Sequence, residues 1–184
     1  MKNAIILHGT DATSKDNWFP WLKEELESEG FEVWVPDLPQ ANKPNIKRYN
    51  QFLLSQKEFH VGSETVMIGH SSGAVAILGI LQALPEDVVI KQIILAGVFN
   101  TDLGWDALKE LTAEPIDYEN VKKHVKEIMI IHSDNDPYIP LKQAEEVAEL
   151  LGGELVVLKE QKHFSEGEDP KYKRFPFIAE LVKE

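Results

Sequence analysis

One segment of the sequence places a serine between two glycines, where an apolar stretch gives way to a run of small and apolar residues. The segment reads Gly69-His70-Ser71-Ser72-Gly73. In a G-x-S-x-G pattern at a strand–turn–helix junction, the serine hydroxyl points out of the sheet and can attack a carbonyl carbon. A Ser/Gly turn that binds phosphate at the helix N-terminus is the alternative interpretation. We interpret Ser71 as the nucleophile.

A serine nucleophile needs a general base, and the base needs an acid that orients it. His163 is the one histidine after the last predicted strand, which is the place of the base when the chain order is serine, acid, histidine. Three acids follow the preceding predicted strands, namely Asp136, Asp134 and Asp102. Asp136 is the first choice because the proline that follows it favours an extended backbone. The other two remain open alternatives.

An oxyanion formed by attack on a carbonyl needs two backbone N–H donors. Ser72, directly after the nucleophile, would supply one of them, and we choose Thr10 in the loop after the first predicted strand for the other. Gly9 would let that loop approach the substrate closely. Aromatic residues near these loops predict a pocket that favours an apolar acyl or alcohol group. The predicted pocket residues are His8, Trp18, Tyr138 and Phe164.

The elements that must position these residues form an alternating pattern. Short apolar runs, typical of parallel strands covered on both faces, alternate with helix-length amphipathic segments, and this alternation predicts an α/β fold. The predicted strands are Ala4–Leu7, Phe31–Val35, Thr65–Ile68, Ile90–Ala96, Ile128–Ile131 and Leu155–Leu158. The predicted helices are Trp18–Ser28, Asn45–Lys57, Ser72–Leu84, Trp105–Leu111, Leu141–Leu151 and Phe175–Val182.

Length and composition narrow the function classes further. A chain of 184 residues suits one domain, residues 1–184, with room for a small cap within residues 100–126. The absence of cysteine excludes thiol catalysis and cysteine-bound metals. A net charge of −12 disfavours binding to nucleic acids or anionic membranes. No apolar stretch is long enough to span a membrane, and we expect a cytoplasmic protein without cofactor or metal.

Four local motifs occur together in this chain. They are His8-Gly9-Thr10 after the first predicted strand, the Gly-His-Ser-Ser-Gly segment at Ser71, Asp136-Pro137-Tyr138-Ile139-Pro140, and His163-Phe164. This combination resembles the α/β-hydrolase superfamily, and within it the small, cap-poor serine hydrolases of the retinoblastoma-binding protein 9 family. The resemblance covers essentially the whole chain. It implies a three-layer α/β/α sandwich with a six-stranded, mainly parallel sheet in the order 2-1-3-4-5-6, without the first two strands of larger hydrolases.

The resemblance also implies a Ser71–Asp136–His163 triad that hydrolyses carboxylic esters. Thioesters and small amides are further substrates for the same machinery. The expected partner is a small ester-type molecule, and the sequence specifies no protein partner. The alternative is a hydrolase-fold binding protein with weak or vestigial catalysis, since fold alone does not fix function. A complete set of serine, acid and histidine favours the enzyme.

Overall fold

The computed structural model describes residues 2–183. Its six strands are Asn3–Leu7 (β1), Glu32–Trp34 (β2), Thr65–His70 (β3), Ile90–Ala96 (β4), Val125–Ser133 (β5) and Glu154–Leu158 (β6). They form one sheet in the order β2-β1-β3-β4-β5-β6. Every neighbouring pair is parallel. The predicted strand order is confirmed, and the sheet is wholly rather than mainly parallel.

Helices cover both faces of the sheet. They are Phe19–Ser28 (α1), Ile46–Ser55 (α2), Ser72–Leu81 (α3), Tyr118–Lys123 (α4), Leu141–Leu151 (α5) and Pro176–Lys183 (α6). Buried side chains of α1 and α6 pack in one core cluster, and those of α2 to α5 pack in a second cluster. The result is the predicted three-layer α/β/α sandwich.

The continuous apolar runs of the strands follow from this layering. Successive strand residues face opposite sides of a sheet. In β1, Ile5 and Leu7 belong to the core beneath α2 to α5, whereas Ala4 and Ile6 belong to the core beneath α1 and α6. A strand between two cores needs apolar side chains on both faces, and the strands were predicted from apolar runs that mostly lack polar alternation.

The connection between β4 and β5 differs from its prediction. The helix expected over Trp105–Leu111 is a short 3₁₀ helix over Asp106–Leu108. Apolar residues at a spacing of three fit a 3₁₀ turn as well as an α-helix, so this pattern did not distinguish the two. Helix α4 was not predicted. The residue before it, Asp117, is its N-cap, and the Asp117 side chain accepts a hydrogen bond from the Asn120 N–H.

A parallel sheet brings the carboxyl ends of its strands to one edge, where ligands bind in open α/β folds. Here β3 runs directly into Ser71, and the loops after β5 and β6 carry Asp136 and His163. None of the helices within residues 2–183 has the length and apolar character needed to cross a membrane.

Candidate active site

Ser71 lies at the sharp turn between β3 and α3 in a strained backbone conformation. Its φ is 55° and its ψ is −124°, a region that residues other than glycine rarely occupy. The Ser71 N–H donates a hydrogen bond of 2.8 Å to the carbonyl of Ala96, at the end of the neighbouring strand β4. Ser71 lines a cavity of about 290 Å³ at this edge of the sheet.

Both glycines of the motif are required by close packing. A Cβ atom on Gly69 would lie 2.6 Å from the Cα and N atoms of Ala74 in α3. A Cβ atom on Gly73 would lie 2.3 Å from the carbonyl oxygen of Leu7 in β1. These separations are far below van der Waals contact, so the turn at Ser71 can fit between strand and helix only with glycine at both positions.

The structure brings His163 and Asp136 together. His163 Nδ1 lies 2.7 Å from Asp136 Oδ2 in a hydrogen bond. The Asp136 side chain is fully buried and that of His163 is 10% exposed. The second carboxylate oxygen, Oδ1, accepts hydrogen bonds from the N–H groups of Tyr138 (2.9 Å) and Ile139 (3.0 Å).

These contacts determine the charge of Asp136 and the orientation of His163. Burial alone would raise the pKa of Asp136, but the hydrogen bond and charge of His163 and the two N–H donors outweigh it and lower that pKa. An ionised carboxylate only accepts hydrogen bonds, so His163 donates from Nδ1. Nε2 of His163 is therefore the nitrogen that can accept a proton.

The other two candidate acids have different partners. Asp134 Oδ1 accepts from the Glu160 N–H at 2.7 Å, and Asp102 Oδ1 accepts from the Gly104 N–H at 2.9 Å. Neither carboxylate has a hydrogen bond to His163 in the described part of the chain. Of the three acids, the structure places Asp136 on the histidine.

Three consecutive side chains, the last residue of β5 and the two that follow it, hold the loop that precedes His163. Each accepts a hydrogen bond from a backbone N–H of that loop. The pairs are Asp134 with Glu160 at 2.7 Å, Ser133 with Gln161 at 2.8 Å, and Asn135 with Lys162 at 2.8 Å. The loops that carry Asp136 and His163 are thus one hydrogen-bonded unit. The run of short polar acceptors directly after a strand was the available sequence signal, since such side chains bond to nearby backbone.

Two buried histidines support the same loops. His70 Nε2 donates to the carbonyl of His163 at 2.8 Å, and His132 Nε2 donates to the carbonyl of Ile139 at 2.9 Å. Burial lowers the pKa of His70 to about 3 and also lowers the pKa of His132. Both rings are therefore neutral near pH 7, each with its proton on the nitrogen that faces a carbonyl. The contact between His70 and His163 joins residues far apart in the sequence, and no local pattern predicted it.

The neutral His70 predicts a pH dependence of stability. The pKa of His70 is lowered in the folded state, so below about pH 6.5 the unfolded state binds a proton that the folded state does not. The free energy of unfolding therefore decreases as the pH falls, by up to about 1.4 kcal/mol per pH unit for one such group. His70→Gln keeps a side-chain N–H donor but cannot titrate. We expect the variant to lose stability less steeply between pH 7 and pH 5 in urea unfolding experiments. Parallel pH profiles for the two proteins would contradict this.

Gly97, directly after β4, has no side chain, and this leaves room for the His163 ring. Its φ is +65°, and a Cβ atom there would lie 3.3 Å from His163 Cε1 and 3.6 Å from His163 Nδ1. The Gly97 N–H donates to the carbonyl of Ile131 in β5 at 2.9 Å, which fixes the turn. The sequence analysis missed this residue. A glycine immediately after a buried strand was the only sign of it.

The predicted oxyanion residues lie next to each other. Thr10 lines the cavity with Ser71, and its Oγ1 donates to Ser72 Oγ at 2.9 Å. A Cβ atom on Gly9 would lie 3.0 Å from Ser71 Cβ, so the loop after β1 passes close to Ser71. Ser72 is the first residue of α3, where backbone N–H groups have no carbonyl partner within the helix.

The cavity walls are largely apolar, but only one of the four predicted pocket residues belongs to them. Tyr138 lines the cavity, and its ring lies 5.2 Å from that of His163. The apolar lining residues that sequence reasoning missed are Phe99, Leu103, Leu108 and Ile139. Such residues look like ordinary core positions in a sequence, because nothing local distinguishes a cavity wall from a packed interior.

The other three pocket predictions are wrong, because these side chains are buried away from the cavity. His8 accepts a hydrogen bond from the Leu38 N–H at 2.8 Å through Nε2. Trp18 is fully buried, and its indole N–H donates to the carbonyl of Phe164 at 3.1 Å. Phe164 stacks on Phe175 in the core beneath α1 and α6.

Among the side chains of the described residues, no three or more His, Asp or Glu are arranged to hold an ion.

Comparison with known proteins identifies the family. The sequence model of the serine hydrolase family matches residues 4–184. The protein YdeN of Bacillus subtilis is 29% identical over 183 residues, which cover 98% of this chain and 94% of YdeN. Serine hydrolase RBBP9 of Rattus norvegicus is 26% identical over 170 residues, which cover 90% of this chain and 88% of RBBP9.

Solved structures agree with the sequence matches. The crystal structure of the ydeN gene product from B. subtilis superposes with a TM-score of 0.91 at 26% identity, covering 100% of this chain and 97% of that one. Est1E from Butyrivibrio proteoclasticus, solved with bound ferulic acid, has the same fold at 18% identity, with a TM-score of 0.74 and coverage of 100% and 87%. The chain has the α/β-hydrolase fold and belongs to the serine hydrolase family.

Proposed function

We propose that this serine hydrolase cleaves small carboxylic esters through an acyl-enzyme on Ser71. The observation that carries the proposal is the 2.7 Å hydrogen bond between His163 Nδ1 and the buried carboxylate of Asp136, at the cavity that Ser71 lines. A histidine held in this way by an ionised acid is a suitable general base for a serine hydroxyl.

In the first half of the reaction, Ser71 Oγ attacks the ester carbonyl carbon while His163 Nε2 takes the hydroxyl proton. The negative charge of Asp136 stabilises the imidazolium that forms. The carbonyl oxygen becomes an oxyanion, which accepts hydrogen bonds from the N–H groups of Ser72 and Thr10. His163 then gives its proton to the departing alkoxide, so an alcohol leaves and the acyl group stays on Ser71.

In the second half, a water molecule takes the place of the alcohol. His163 removes a proton from the water as its oxygen attacks the acyl carbon, and a second oxyanion forms at the same N–H donors. When this intermediate collapses, Ser71 Oγ leaves as an alkoxide and recovers its proton from His163. The products are a carboxylic acid and the free enzyme. In each half of the reaction His163 acts first as a general base and then as a general acid.

The cavity favours an uncharged, mostly apolar substrate. Its volume of about 290 Å³ suits a small molecule, and apolar and aromatic side chains form much of its lining. Asp11 lies in the same wall, and its carboxylate disfavours an anionic group nearby. Thioesters and small amides need the same nucleophile and oxyanion donors and are secondary candidates.

Hydrolysis of p-nitrophenyl butyrate by the wild type and by His163→Ala tests the proposal. We expect turnover by the wild type and a fall in kcat of about 10⁴-fold or more in the variant, because Ser71 loses its base. Circular dichroism would verify that the variant is folded. Equal rates for the two folded proteins would overturn the proposed function.

Gly97→Ala is expected to reduce ester hydrolysis, and Gly152→Ala is its matched control. Both glycines have a φ of +65°, but a Cβ atom meets His163 only at position 97, whereas at position 152 nothing lies within 4 Å. Each substitution should lower the free energy of unfolding by about 1 kcal/mol. Only Gly97→Ala should also lower kcat/KM, by about tenfold, because it displaces the base.

Thermal unfolding and steady-state kinetics on the two glycine variants measure both effects. A Gly97→Ala enzyme with wild-type kcat/KM would show that His163 does not need its observed position.

A further inference from the structure

The geometry points to Phe99 as the residue that limits the length of the substrate's acyl chain, by separating the cavity at Ser71 from a second cavity behind it. The inference rests on the proposed ester hydrolysis and adds the substrate class, namely esters of short aliphatic acids.

The second cavity lies beneath the connection between β4 and α4. Its volume is about 140 Å³, and its apolar lining includes Val75, Leu111, Ile116 and Tyr118. Phe99 is the one residue, within the described part of the chain, that lines both this cavity and the cavity at Ser71. It is 1% exposed and packs in the core beneath α2 to α5. Because Phe99 is shared by both linings, we take its buried ring as part of the wall between the two spaces.

The position of the second cavity identifies the part of the substrate that would enter it. Val75 lies one turn along α3 from Ser71, and its N–H donates to the Ser71 carbonyl. The acyl group is the part that becomes attached to Ser71, whereas the alcohol leaves toward its proton donor, His163. The chain that would extend past Phe99 is thus the acyl chain.

The lining of the second cavity suits an aliphatic chain. Six of its nine lining residues are apolar or aromatic, and the other three, Asn100, Thr112 and Glu114, offer no positive charge that would bind an anionic end group. With Phe99 in place, a longer chain would have to displace a buried ring from a packed core, which is unfavourable. Short acyl chains need no such displacement.

Two substitutions test the role of Phe99 without removing all of its packing. Phe99→Leu shortens the wall, and Phe99→Met keeps most of the volume in a flexible side chain that can move aside. The measured quantity is the ratio of kcat/KM for p-nitrophenyl octanoate to that for p-nitrophenyl butyrate. We expect this ratio to rise by about tenfold in at least one variant, because the additional methylene groups become buried.

A blocking variant checks that the longer chain enters the second cavity. Leu111 lines that cavity but not the cavity at Ser71. Adding Leu111→Phe to the Phe99 variant fills the second space, so the ratio should return toward the wild-type value.

The outcomes separate this inference from the proposed function. Butyrate hydrolysis by the wild type with an unchanged ratio in both Phe99 variants would overturn the role of Phe99 alone. A raised ratio that Leu111→Phe leaves unaltered would likewise overturn the second cavity as the acyl site. Failure of the wild type to hydrolyse butyrate would overturn the proposed function, and the Phe99 inference with it.

Discussion

Ser71→Ala is expected to lower kcat/KM for ester hydrolysis by about 10⁴-fold or more while leaving the protein folded. The substitution removes the attacking oxygen and keeps the Cβ atom, so the strained turn at φ 55° is altered little. The hydroxyl of the next residue, Ser72, is almost fully buried and accepts a hydrogen bond from Thr10. Steady-state kinetics and thermal unfolding of the same preparation measure both properties.

Ser72→Ala is the matched comparison for Ser71→Ala. It removes a neighbouring hydroxyl but keeps the backbone N–H that is proposed to bind the oxyanion. We expect kcat/KM to fall by no more than about tenfold, since the substitution removes a single neutral hydrogen bond from Thr10. A Ser71→Ala enzyme that retains more activity than Ser72→Ala would contradict the assignment of the nucleophile.

Asp136→Asn is expected to lower kcat by about 10³-fold to 10⁴-fold, the second-largest effect. The amide has no negative charge to stabilise the imidazolium, and its NH₂ group can force His163 into the wrong tautomer. The Asp136 carboxylate is fully buried and accepts hydrogen bonds from the N–H groups of Tyr138 and Ile139. Water or another carboxylate therefore cannot readily take its place beside His163 in the variant.

Asp134→Asn is the control for Asp136→Asn. The asparagine keeps an oxygen that can accept from the Glu160 N–H, the bond that Asp134 makes. We expect kcat to fall by less than about fivefold, because solvent and salt screen the charge of an exposed carboxylate such as Asp134. The reverse order of effects in steady-state kinetics would reassign the orienting acid to Asp134.

The architecture could be predicted from the sequence because its inner strands are largely buried on both faces. Such strands carry continuous apolar runs, as in residues 93–96 of β4, and a run of this kind can be recognised in the sequence alone. The β4–β5 connection was harder to predict. Apolar residues three apart in Trp105–Leu111 fit two kinds of helix, and α4 is only six residues long, too short for a clear periodicity.

Ser71, Asp136 and His163 could be predicted as candidate site residues because each follows a strand in the chain order serine, acid, histidine. The residues that support them could not be located in this way. His70 meets the His163 carbonyl across 93 residues of sequence, and Gly97 is required only because His163 packs against it. Trp18 and Phe164 were predicted in the pocket because they lie near the motifs in sequence, but the direction of a side chain depends on tertiary packing.

Labelling with a fluorophosphonate probe tests the central claim most directly, namely that Ser71 is a nucleophile activated by His163. The folded protein is incubated with the probe, and the adduct is located by mass spectrometry of its peptides. We predict one adduct on Ser71, none in Ser71→Ala, and labelling at least about 100-fold slower in His163→Ala. An adduct on another residue, no adduct on the folded wild type, or equal labelling rates in the wild type and His163→Ala would contradict the claim.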